Sequence, residues 1–180
     1  MKTLSEIYEK YQSPEGHGDK GTAHTYIESY ERLLEPYREN STVLEIGLCM
    51  GESLLMWEEF FINSKIIGID INDEHLKDLI DVGTHNIVIG DATKESIVNL
   101  LSEETFDVLI DDGSHAFVDQ LNTFCIFKNK IKKGGVYIIE DVAHIDHIKN
   151  IFLTLHNDVE IIDNRHIKGR HDDVLVVYKF

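Results

Sequence analysis

Two short apolar runs in this chain end abruptly in acidic residues, and a histidine follows the first run closely. The polar residues that come after them are Asp111, Asp112, His115, Glu140 and Asp141. Apolar runs of this length are typical of strands buried on both faces of a parallel sheet, and ligands bind beyond the carboxyl ends of such strands. Carboxylate oxygens suit Mg²⁺, and an imidazole suits a general base. We therefore predict a divalent metal site with a base at one rim of a sheet.

The spacing of these residues suggests separate roles for them. Asp112, Glu140 and Asp141 are the predicted metal ligands, because their carboxylates would meet at neighbouring strand ends. His115 is the predicted catalytic base for an alcohol, and a metal beside it would stabilise the developing alkoxide. We place His115 at the start of the following helix, whose positive end favours a neutral imidazole. Each residue also has a simpler interpretation by itself, as part of a turn, a surface or a helix cap.

A regular alternation of strand and helix patterns from Thr42 onward predicts the elements that position these residues. The predicted strands are 43–48, 65–71, 86–89, 106–110, 136–139, 159–162 and 174–178. The predicted helices are 52–61, 73–82, 94–102, 115–131 and 145–155. We expect the helix at 115–131 to close with the glycine stop Lys132-Lys133-Gly134. Five strand–helix units imply a parallel α/β sheet with right-handed crossovers, and the last two strands, with no helix between them, must form an antiparallel pair.

The first forty residues have a different character from the rest of the chain. Their glycines, which suggest a loop, are Gly16, Gly18 and Gly21. A helix of about 24–37 is predicted after this loop. Tyr26 and Tyr30 lie one turn apart and could form either a core stripe or a lid over an acceptor. We expect one domain, in which 1–40 is an N-terminal lid or helical segment and 41–180 is the catalytic core.

A glycine turn after the first strand predicts a cofactor site. Its sequence is Glu45-Ile-Gly47-Leu-Cys-Met-Gly51, in which Gly47 permits a sharp turn and Gly51 lets backbone approach a ligand. The next two strands end in Asp70 and in Asp91-Ala92, and an acid at the end of the second strand can bind both hydroxyls of a ribose. The spacing G-x-G-x-x-G is absent, which counts against a dinucleotide. The cofactor-binding candidates are Glu45, Gly47, Met50, Gly51, Ser53, Asp70, Asp91, Ala92 and Asp111.

Composition restricts the partners of the chain. Its 180 residues carry a formal net charge of −16, which argues against a nucleic-acid substrate because binding a polyanion normally needs a basic face. A small neutral or cationic molecule fits this charge better. There is no apolar run long enough to span a membrane and no secretory signal, and two cysteines do not make a disulfide framework. We therefore expect a cytoplasmic protein with a small-molecule substrate.

The glycine turn, Asp70, Gly90-Asp91-Ala92 and the terminal antiparallel pair resemble the class I S-adenosylmethionine-dependent methyltransferases over about residues 42–180. The resemblance implies a Rossmann-like, doubly wound sheet of seven strands in the order 3-2-1-4-5-7-6, with the last strand antiparallel. It also implies S-adenosyl-L-methionine as cofactor, with Glu45, Gly47 and Gly51 along its methionine end. Asp70 would then hold the ribose, and Asp91 with Ala92 would contact the adenine.

The spacing Asp112-x-x-His115 with Glu140-Asp141 is similar to that of the Mg²⁺-dependent sugar O-methyltransferases of macrolide biosynthesis, the mycinamicin and macrocin group. The resemblance implies that the three acids bind Mg²⁺ and that the histidine is the catalytic base. The segment from Asp19 to Tyr26 is similar to one that closes over the active site in such enzymes, and its Lys20 could meet the cofactor carboxylate. The macrolide enzymes have an additional N-terminal domain that we do not expect here. The identity of the acceptor and the formation of a homo-oligomer therefore stay open.

We predict an Mg²⁺-dependent O-methyltransferase that acts on a sugar hydroxyl of a nucleotide sugar or a glycoside. The first alternative is an enzyme for a catechol or another phenol, ranked lower because the acidic N-terminal segment has few aromatic side chains to hold a flat ring. The second is an NAD-dependent sugar-modifying enzyme, against which the glycine spacing counts. The third is a non-catalytic module that keeps the fold.

Overall fold

The computed structural model describes residues 1–12, 18–101 and 104–180, which form a seven-stranded sheet with helices on both faces. The strands are β1 (Thr42–Ile46), β2 (Lys65–Asp70), β3 (Asn86–Ile89), β4 (Phe106–Asp111), β5 (Ile131–Ile139), β6 (Val159–Asp163) and β7 (Val174–Lys179). The helices are α1 (Leu4–Tyr11), α2 (Ile27–Leu34), α3 (Glu52–Phe60), α4 (Lys77–Val82), α5 (Ser96–Leu100), α6 (Phe117–Phe127), α7 (Ile145–Leu155) and α8 (Arg165–Lys168). Short 3₁₀ turns span Glu35–Tyr37 and Lys128–Lys130.

The strands lie in the order β3-β2-β1-β4-β5-β7-β6. The last strand, β7, runs antiparallel to both β5 and β6, and the other neighbouring pairs are parallel. The predicted sheet order and the predicted antiparallel last strand are therefore confirmed. The order changes direction between β1 and β4, and this is the switch point at which open parallel sheets bind ligands.

The central strands are apolar on both faces because helices cover both sides of the sheet. Along β4, Val108 and Ile110 pack into a cluster with Trp57 of α3 and residues of α1 and α2. Leu109, between them, points to the opposite face and packs in a cluster with Phe124 of α6. This alternation follows from the two-residue period of a strand, and it explains why the strands appear in the sequence as continuous apolar runs.

Helix α1 was not predicted, although its beginning has a recognisable signal. The side chain of Thr3 accepts a hydrogen bond from the amide of Glu6, and the carboxylate of Glu6 accepts one from the amide of Thr3. This reciprocal pair is a capping box. Leu4 and Ile7 are buried in the core formed by α1, α2 and α3. The helix predicted at about 24–37 is shorter, since α2 ends at Leu34 and a 3₁₀ turn follows.

The prediction of a helix as far as residue 131, followed by a glycine stop, is wrong because α6 ends earlier and β5 begins at Ile131. Ile131 pairs with Phe106 and Val136 pairs with Val108, so β5 contains extra residues that bulge between these pairs. Gly134 lies in this bulge with a φ of +83°. The left-handed backbone conformation of Gly134 is therefore part of a β-bulge and does not end a helix.

Other differences from the predicted elements are smaller. Helix α8 lies between β6 and β7, where no helix was predicted. Helices α4 and α5 begin at Lys77 and Ser96, later than predicted. The predicted loop glycine Gly16 and the predicted helix end at residue 102 lie outside the described residues. Within the described ranges, every helix is too short or too polar to cross a membrane.

Candidate active site

The glycine turn after β1 and the loop after β4 pack backbone against backbone. Gly47 has a φ of +85°, and a Cβ atom there would lie 1.9 Å from the carbonyl oxygen of Asp112. The amide of Asp112 donates to the carbonyl of Ile46 at 2.8 Å. A side chain at position 47 would break this contact, so the glycine brings the predicted cofactor turn and a predicted metal ligand together.

Two cavities adjoin this contact. The first has a volume of about 340 Å³, and its lining includes Tyr8, Tyr11, Lys20, Asp112, His115 and Asp141. The second has a volume of about 390 Å³, and its lining includes Asp91, Ala92, Asp111, Gln120 and Thr123. Gly47, Asp70 and Gly113 line both cavities. The switch point of the sheet can therefore hold two small ligands, or two parts of one ligand, on either side of the turn.

Asp70 supports the glycine turn in addition to lining both cavities. Its Oδ2 accepts hydrogen bonds from the amides of Leu48 at 2.9 Å and Cys49 at 3.2 Å. Asp91 accepts hydrogen bonds from the hydroxyl and the amide of Thr93, and these bonds lower the pKa of Asp91. Both carboxylates are thus oriented by neighbouring groups at the ends of β2 and β3.

The remaining cofactor candidates differ in position. Asp111 is buried beside the second cavity and accepts a hydrogen bond from the hydroxyl of Tyr137 at 3.0 Å. Burial raises the pKa of Asp111 to about 7. Ala92 contributes to the wall of the same cavity. Met50 and Gly51 belong to the turn itself rather than to the lining of either cavity.

Glu45 is fully buried beneath the turn. Its carboxylate accepts hydrogen bonds from Trp57 Nε1 at 3.0 Å and from the hydroxyl of Ser53 at 2.9 Å, and it lies 3.7 Å from the ammonium of Lys20. Burial raises the pKa of Glu45 to about 7, because the charge of Lys20 and these hydrogen bonds offset only part of the desolvation. Ser53 lines the first cavity and connects it to this buried carboxylate.

The buried Glu45 makes stability depend on pH. Its folded-state pKa of about 7 lies above the ordinary 4.5, so its stabilising effect is complete below about pH 4.5 and is lost as pH rises through 7. The difference in free energy of unfolding between Glu45→Gln and the wild type should shift by about 2 to 3 kcal/mol in favour of the variant when the pH is raised from 5 to 8. Each pKa unit corresponds to about 1.4 kcal/mol. Urea unfolding of both proteins at the two pH values measures this gain. An equal stability difference at both would contradict the assignment.

Asp112, His115 and Asp141 come together at the first cavity. His115 Nε2 lies 3.2 Å from Asp112 Oδ1, and His115 Nδ1 lies 3.5 Å from Asp141 Oδ2. One ligand atom from each of the three residues lies within 4.8 Å of the others, a spacing that suits one metal ion. The side chain of His115 is 43% exposed, so it is accessible from the cavity.

The carboxylates beside His115 act on the charge state that the sequence predicts for it. His115 precedes α6, which begins at Phe117, and has a φ of +59°. The hydrogen bond with Asp112 raises the pKa of His115 to about 9, since this bond and the charges of Asp112 and Asp141 outweigh burial. These two carboxylates favour the protonated imidazole as long as no cation neutralises them, so the neutral imidazole expected at a helix start stays a prediction.

Glu140 makes different contacts from the other two predicted metal ligands. Its Oε1 accepts hydrogen bonds from Lys20 Nζ at 2.5 Å and from the hydroxyl of Tyr30 at 2.6 Å. Lys20 Nζ also donates to Asp112 Oδ2 at 2.6 Å. The ammonium of Lys20 therefore bridges Glu140 and Asp112, and it is engaged by protein carboxylates rather than directed at a cofactor.

One buried ammonium group, that of Lys20, interacts with three acids in this site. Burial by itself would lower the pKa of Lys20, but the charges of Asp112, Glu140 and Glu45 outweigh it and raise this pKa well above its ordinary value. Burial and the charge of Asp112 raise the pKa of Glu140 and of Asp141. The cluster holds more acidic groups than Lys20 neutralises, so its electrostatics favour a further cation.

Residues 18–26 lie against the acids and are fastened to the end of the sheet. The hydroxyl of Tyr26 donates to Asp141 Oδ1 at 2.8 Å, and the buried His24 lies 3.2 Å from the same oxygen. The ammonium of Lys168 in α8 donates to three carbonyl groups of this segment. Sequence reasoning missed these contacts, although the motif from Asp19 to Tyr26 was an available signal. Tyr26 and Tyr30 are thus buried partners of the acids.

A family model described as "Methyltransferase domain" matches residues 44–142. The match covers over half of the chain, from the first strand to just beyond Asp141, and therefore includes both the glycine turn and the acidic rim. This chain belongs to the methyltransferase-domain family. The resemblance to class I methyltransferases that the sequence suggested is confirmed by this match and by the sheet order.

Several curated relatives are named as sugar O-methyltransferases. The chain is 32% identical over 136 residues to 8-demethyl-8-alpha-L-rhamnosyl tetracenomycin-C 2'-O-methyltransferase of Streptomyces olivaceus, covering 70% of this chain and 35% of the relative. It is 32% identical over 149 residues to mycinamicin VI 2''-O-methyltransferase of Micromonospora griseorubida, covering 77% and 36%. The chain spans about a third of the length of these relatives.

Solved structures share the fold. The MycE methyltransferase from the mycinamycin biosynthetic pathway, in complex with Mg, SAH and mycinamycin VI, has a TM-score of 0.75 and 24% identity, covering 99% of this chain and 53% of that one. An rRNA methylase from Streptococcus thermophilus has a TM-score of 0.62 and 15% identity, covering 85% and 94%. At these identities the likeness establishes the fold and carries no assignment of substrate.

Proposed function

We propose that this chain is the catalytic part of an O-methyltransferase that uses S-adenosyl-L-methionine and Mg²⁺ to methylate a sugar hydroxyl. The observation that carries the proposal is the grouping of Asp112, His115 and Asp141 beside the turn at Gly47, where the two cavities adjoin. The names of the curated relatives and the Mg and SAH of the MycE complex support it. The division into an N-terminal segment 1–40 and a core 41–180 belongs to the same proposal.

The residues around the second cavity fit S-adenosyl-L-methionine. The cavity is lined by Asp91 and Ala92, which are proposed to contact the adenine, and by Asp70, which is proposed to hold the ribose. The absence of a Cβ atom at Gly47 lets the turn pack directly against the backbone of Asp112, at the point where the two cavities adjoin. In this proposal the turn from Gly47 to Gly51 borders the methionine end of the cofactor, so that the methyl group faces the first cavity.

The acids at the first cavity fit Mg²⁺. Asp112 and Asp141 offer hard oxygen donors beside each other, Glu140 is the third proposed ligand, and the cluster has an excess of acidic groups. When bound, Mg²⁺ would stabilise negative charge on the acceptor oxygen, and S-adenosyl-L-methionine would supply the methyl group.

His115 is the proposed acceptor of the hydroxyl proton. Its ring is partly exposed at the cavity, and its Nδ1 makes the longer of its two contacts with carboxylates, at 3.5 Å. Because Asp112 and Asp141 raise the pKa of His115, neutralising their charge would lower that pKa and leave the imidazole able to accept a proton. Tyr26 donates to Asp141 and holds that carboxylate in position.

The charge of the first cavity supports a glycoside rather than a nucleotide sugar as the acceptor. Its lining contains the acidic residues Asp19, Glu52, Asp112 and Asp141. Lys20, which also lines it, is already paired with three acids. These charges would repel a diphosphate but would tolerate a neutral or cationic glycoside. A homo-oligomer and a cytoplasmic location stay predictions from the sequence.

Methyl transfer to a panel of neutral glycosides tests the proposal directly. Incubation of the chain with S-adenosyl-L-methionine, Mg²⁺ and each glycoside is expected to yield a product with one additional methyl group, together with S-adenosylhomocysteine, both detected by mass spectrometry. Nucleotide sugars form the comparison arm, and methylation of these alone would overturn the choice of acceptor. Binding of S-adenosylhomocysteine without methylation of any hydroxyl would contradict the proposed reaction.

S-adenosylhomocysteine is expected to stabilise the chain, whereas NAD is not. A ligand at one hundred times its Kd stabilises the folded state by about 2.7 kcal/mol, which a thermal-shift assay detects. We expect Asp70→Asn to diminish this shift, because Asp70 lies where the ribose is proposed to bind. Asp158→Asn, an exposed substitution of the same type, serves as the control. Stabilisation by NAD alone would favour the NAD-dependent alternative.

A second candidate function, O-methylation of a catechol or another phenol, is favoured by one observation. Tyr8 and Tyr11 of α1 line the first cavity and could stack on a flat ring. The sequence did not place Tyr8 and Tyr11 near this site because α1 was not predicted. The same assay with catechol distinguishes the candidates, since a phenol enzyme should methylate catechol faster than every glycoside of the panel.

A further inference from the structure

Lys20 contacts two of the three acids that are proposed to hold Mg²⁺. Asp112, His115 and Asp141 form a group that suits one ion, whereas Glu140 is outside this group. The atom that lies between Glu140 and Asp112 is the ammonium nitrogen of Lys20, at 2.5 Å and 2.6 Å from their oxygens. A second cation on the same two carboxylates would be repelled by this ammonium.

We propose that Lys20 competes with the divalent cation for Asp112 and Glu140, and so sets the affinity of the site for metal. This inference rests on the proposed function, because it takes Mg²⁺ to bind at these acids. Lys20 is then a residue that positions the ligands, and Glu140 becomes available to the metal only when the ammonium withdraws from it.

The surroundings of Lys20 offer its ammonium another partner. Lys20 is 3% exposed, so its charge cannot move into water unless residues 18–26 move with it. The carboxylate of Glu45 lies 3.7 Å from Lys20 Nζ, beyond hydrogen-bond distance but near enough to accept it after a small shift. Transfer of the ammonium from Glu140 towards Glu45 would keep a buried charge paired while it frees Glu140.

Binding of Mn²⁺, followed by electron paramagnetic resonance of the free ion, tests the inference without any reference to turnover. Mn²⁺ prefers the same oxygen ligands as Mg²⁺ and is directly visible. We expect Lys20→Met to bind Mn²⁺ at least about tenfold more tightly than the wild type. A tenfold change in Kd corresponds to a small free energy, which the loss of the repulsion between the ammonium and the metal ion supplies. Lys10→Met removes an exposed surface lysine and should leave the Kd unchanged.

A purely structural role for Lys20 predicts the opposite result. Loss of an anchor for residues 18–26 would loosen the acids, so Mn²⁺ binding that is weaker than or equal to that of the wild type would overturn the inference. Lys20→Gln, which retains a hydrogen-bond donor, provides a second variant should Lys20→Met fold poorly. Folding of either variant only in the presence of Mn²⁺ would support the inference, since the metal would replace the missing charge. Variants that stay unfolded in excess Mn²⁺ would overturn it.

The outcomes also separate this inference from the proposed function. Failure of the wild type and of the Lys20 variants to bind Mn²⁺ would overturn both the metal site and the competition. Binding of Mn²⁺ by the wild type, without tighter binding by the variants, would overturn only the role of Lys20. Tighter binding in the variants would support that role even where the glycoside panel yields no methylated product.

Discussion

Replacement of His115 by alanine is expected to lower kcat by about 10²- to 10⁴-fold, the usual contribution of a general base, while S-adenosylhomocysteine still binds. The expectation follows from position. The imidazole contacts Asp112 and Asp141 at the first cavity, and the proposed adenine and ribose contacts lie at the second. The loss should therefore fall on turnover rather than on the affinity for the cofactor. Single-turnover kinetics together with a thermal-shift titration separate the two quantities.

Two further measurements distinguish a lost base from a damaged site. Because the side chain of His115 is 43% exposed, added imidazole should enter the space left by alanine and restore part of the activity. The activity of the wild type should rise with pH as His115 loses its proton, and the variant should lack this rise. His147→Ala, an exposed histidine of α7, is the matched control. Unchanged kcat in His115→Ala would remove His115 from the role of base.

Removal of the metal has the second large expected effect. Chelation by EDTA should lower kcat by about 10²- to 10³-fold, because several kcal/mol of charge stabilisation on the acceptor oxygen are lost and about 1.4 kcal/mol corresponds to a factor of ten. Addition of Mg²⁺ in excess of EDTA should restore the activity. The physical reason lies in the acidic cluster, where burial and the charge of Asp112 raise the pKa of Asp141, so that a bound cation would stabilise the ionised carboxylate.

Substitutions at the ligands locate the metal. We expect Asp141→Asn and Asp112→Asn each to raise the Mg²⁺ concentration needed for half-maximal activity by at least about tenfold, as neutral amides are poorer ligands for a hard cation. Asp158→Asn, an exposed change of the same kind, should leave that concentration unaltered. Full activity in excess EDTA would refute the role of the metal, whatever the behaviour of these variants.

Much of the fold could be predicted from local patterns in the sequence. Apolar strands separated by helices permit few topologies, because crossovers between parallel strands are right-handed. The turn at Gly47 could be recognised because a glycine directly after a strand permits a sharp turn, and the structure shows a φ of +85° there, against the loop after β4. The resemblance to class I methyltransferases then supplied the strand order, which the sheet confirms.

The elements that escaped prediction depend on contacts that local patterns do not encode. Helix α1 is eight residues long, and a helix this short is stabilised mainly by the core against which Leu4 and Ile7 pack. The bulge around Gly134 exists because β5 must pair with both ends of β4, and that pairing is a property of the assembled sheet. Neither feature has a periodic signal long enough to be recognised in the sequence alone.

The sequence by itself determined which acids and which histidine lie at the rim, since the carboxyl ends of parallel strands share one edge of the sheet. Only the tertiary structure decided how charge is distributed among them. Lys20 is separated by 92 and 120 positions from the acids that it joins, Asp112 and Glu140. An ion pair forms wherever folding brings opposite charges within a few ångströms, and the energy of that pair depends on distance and burial. Both quantities exist only in the folded molecule.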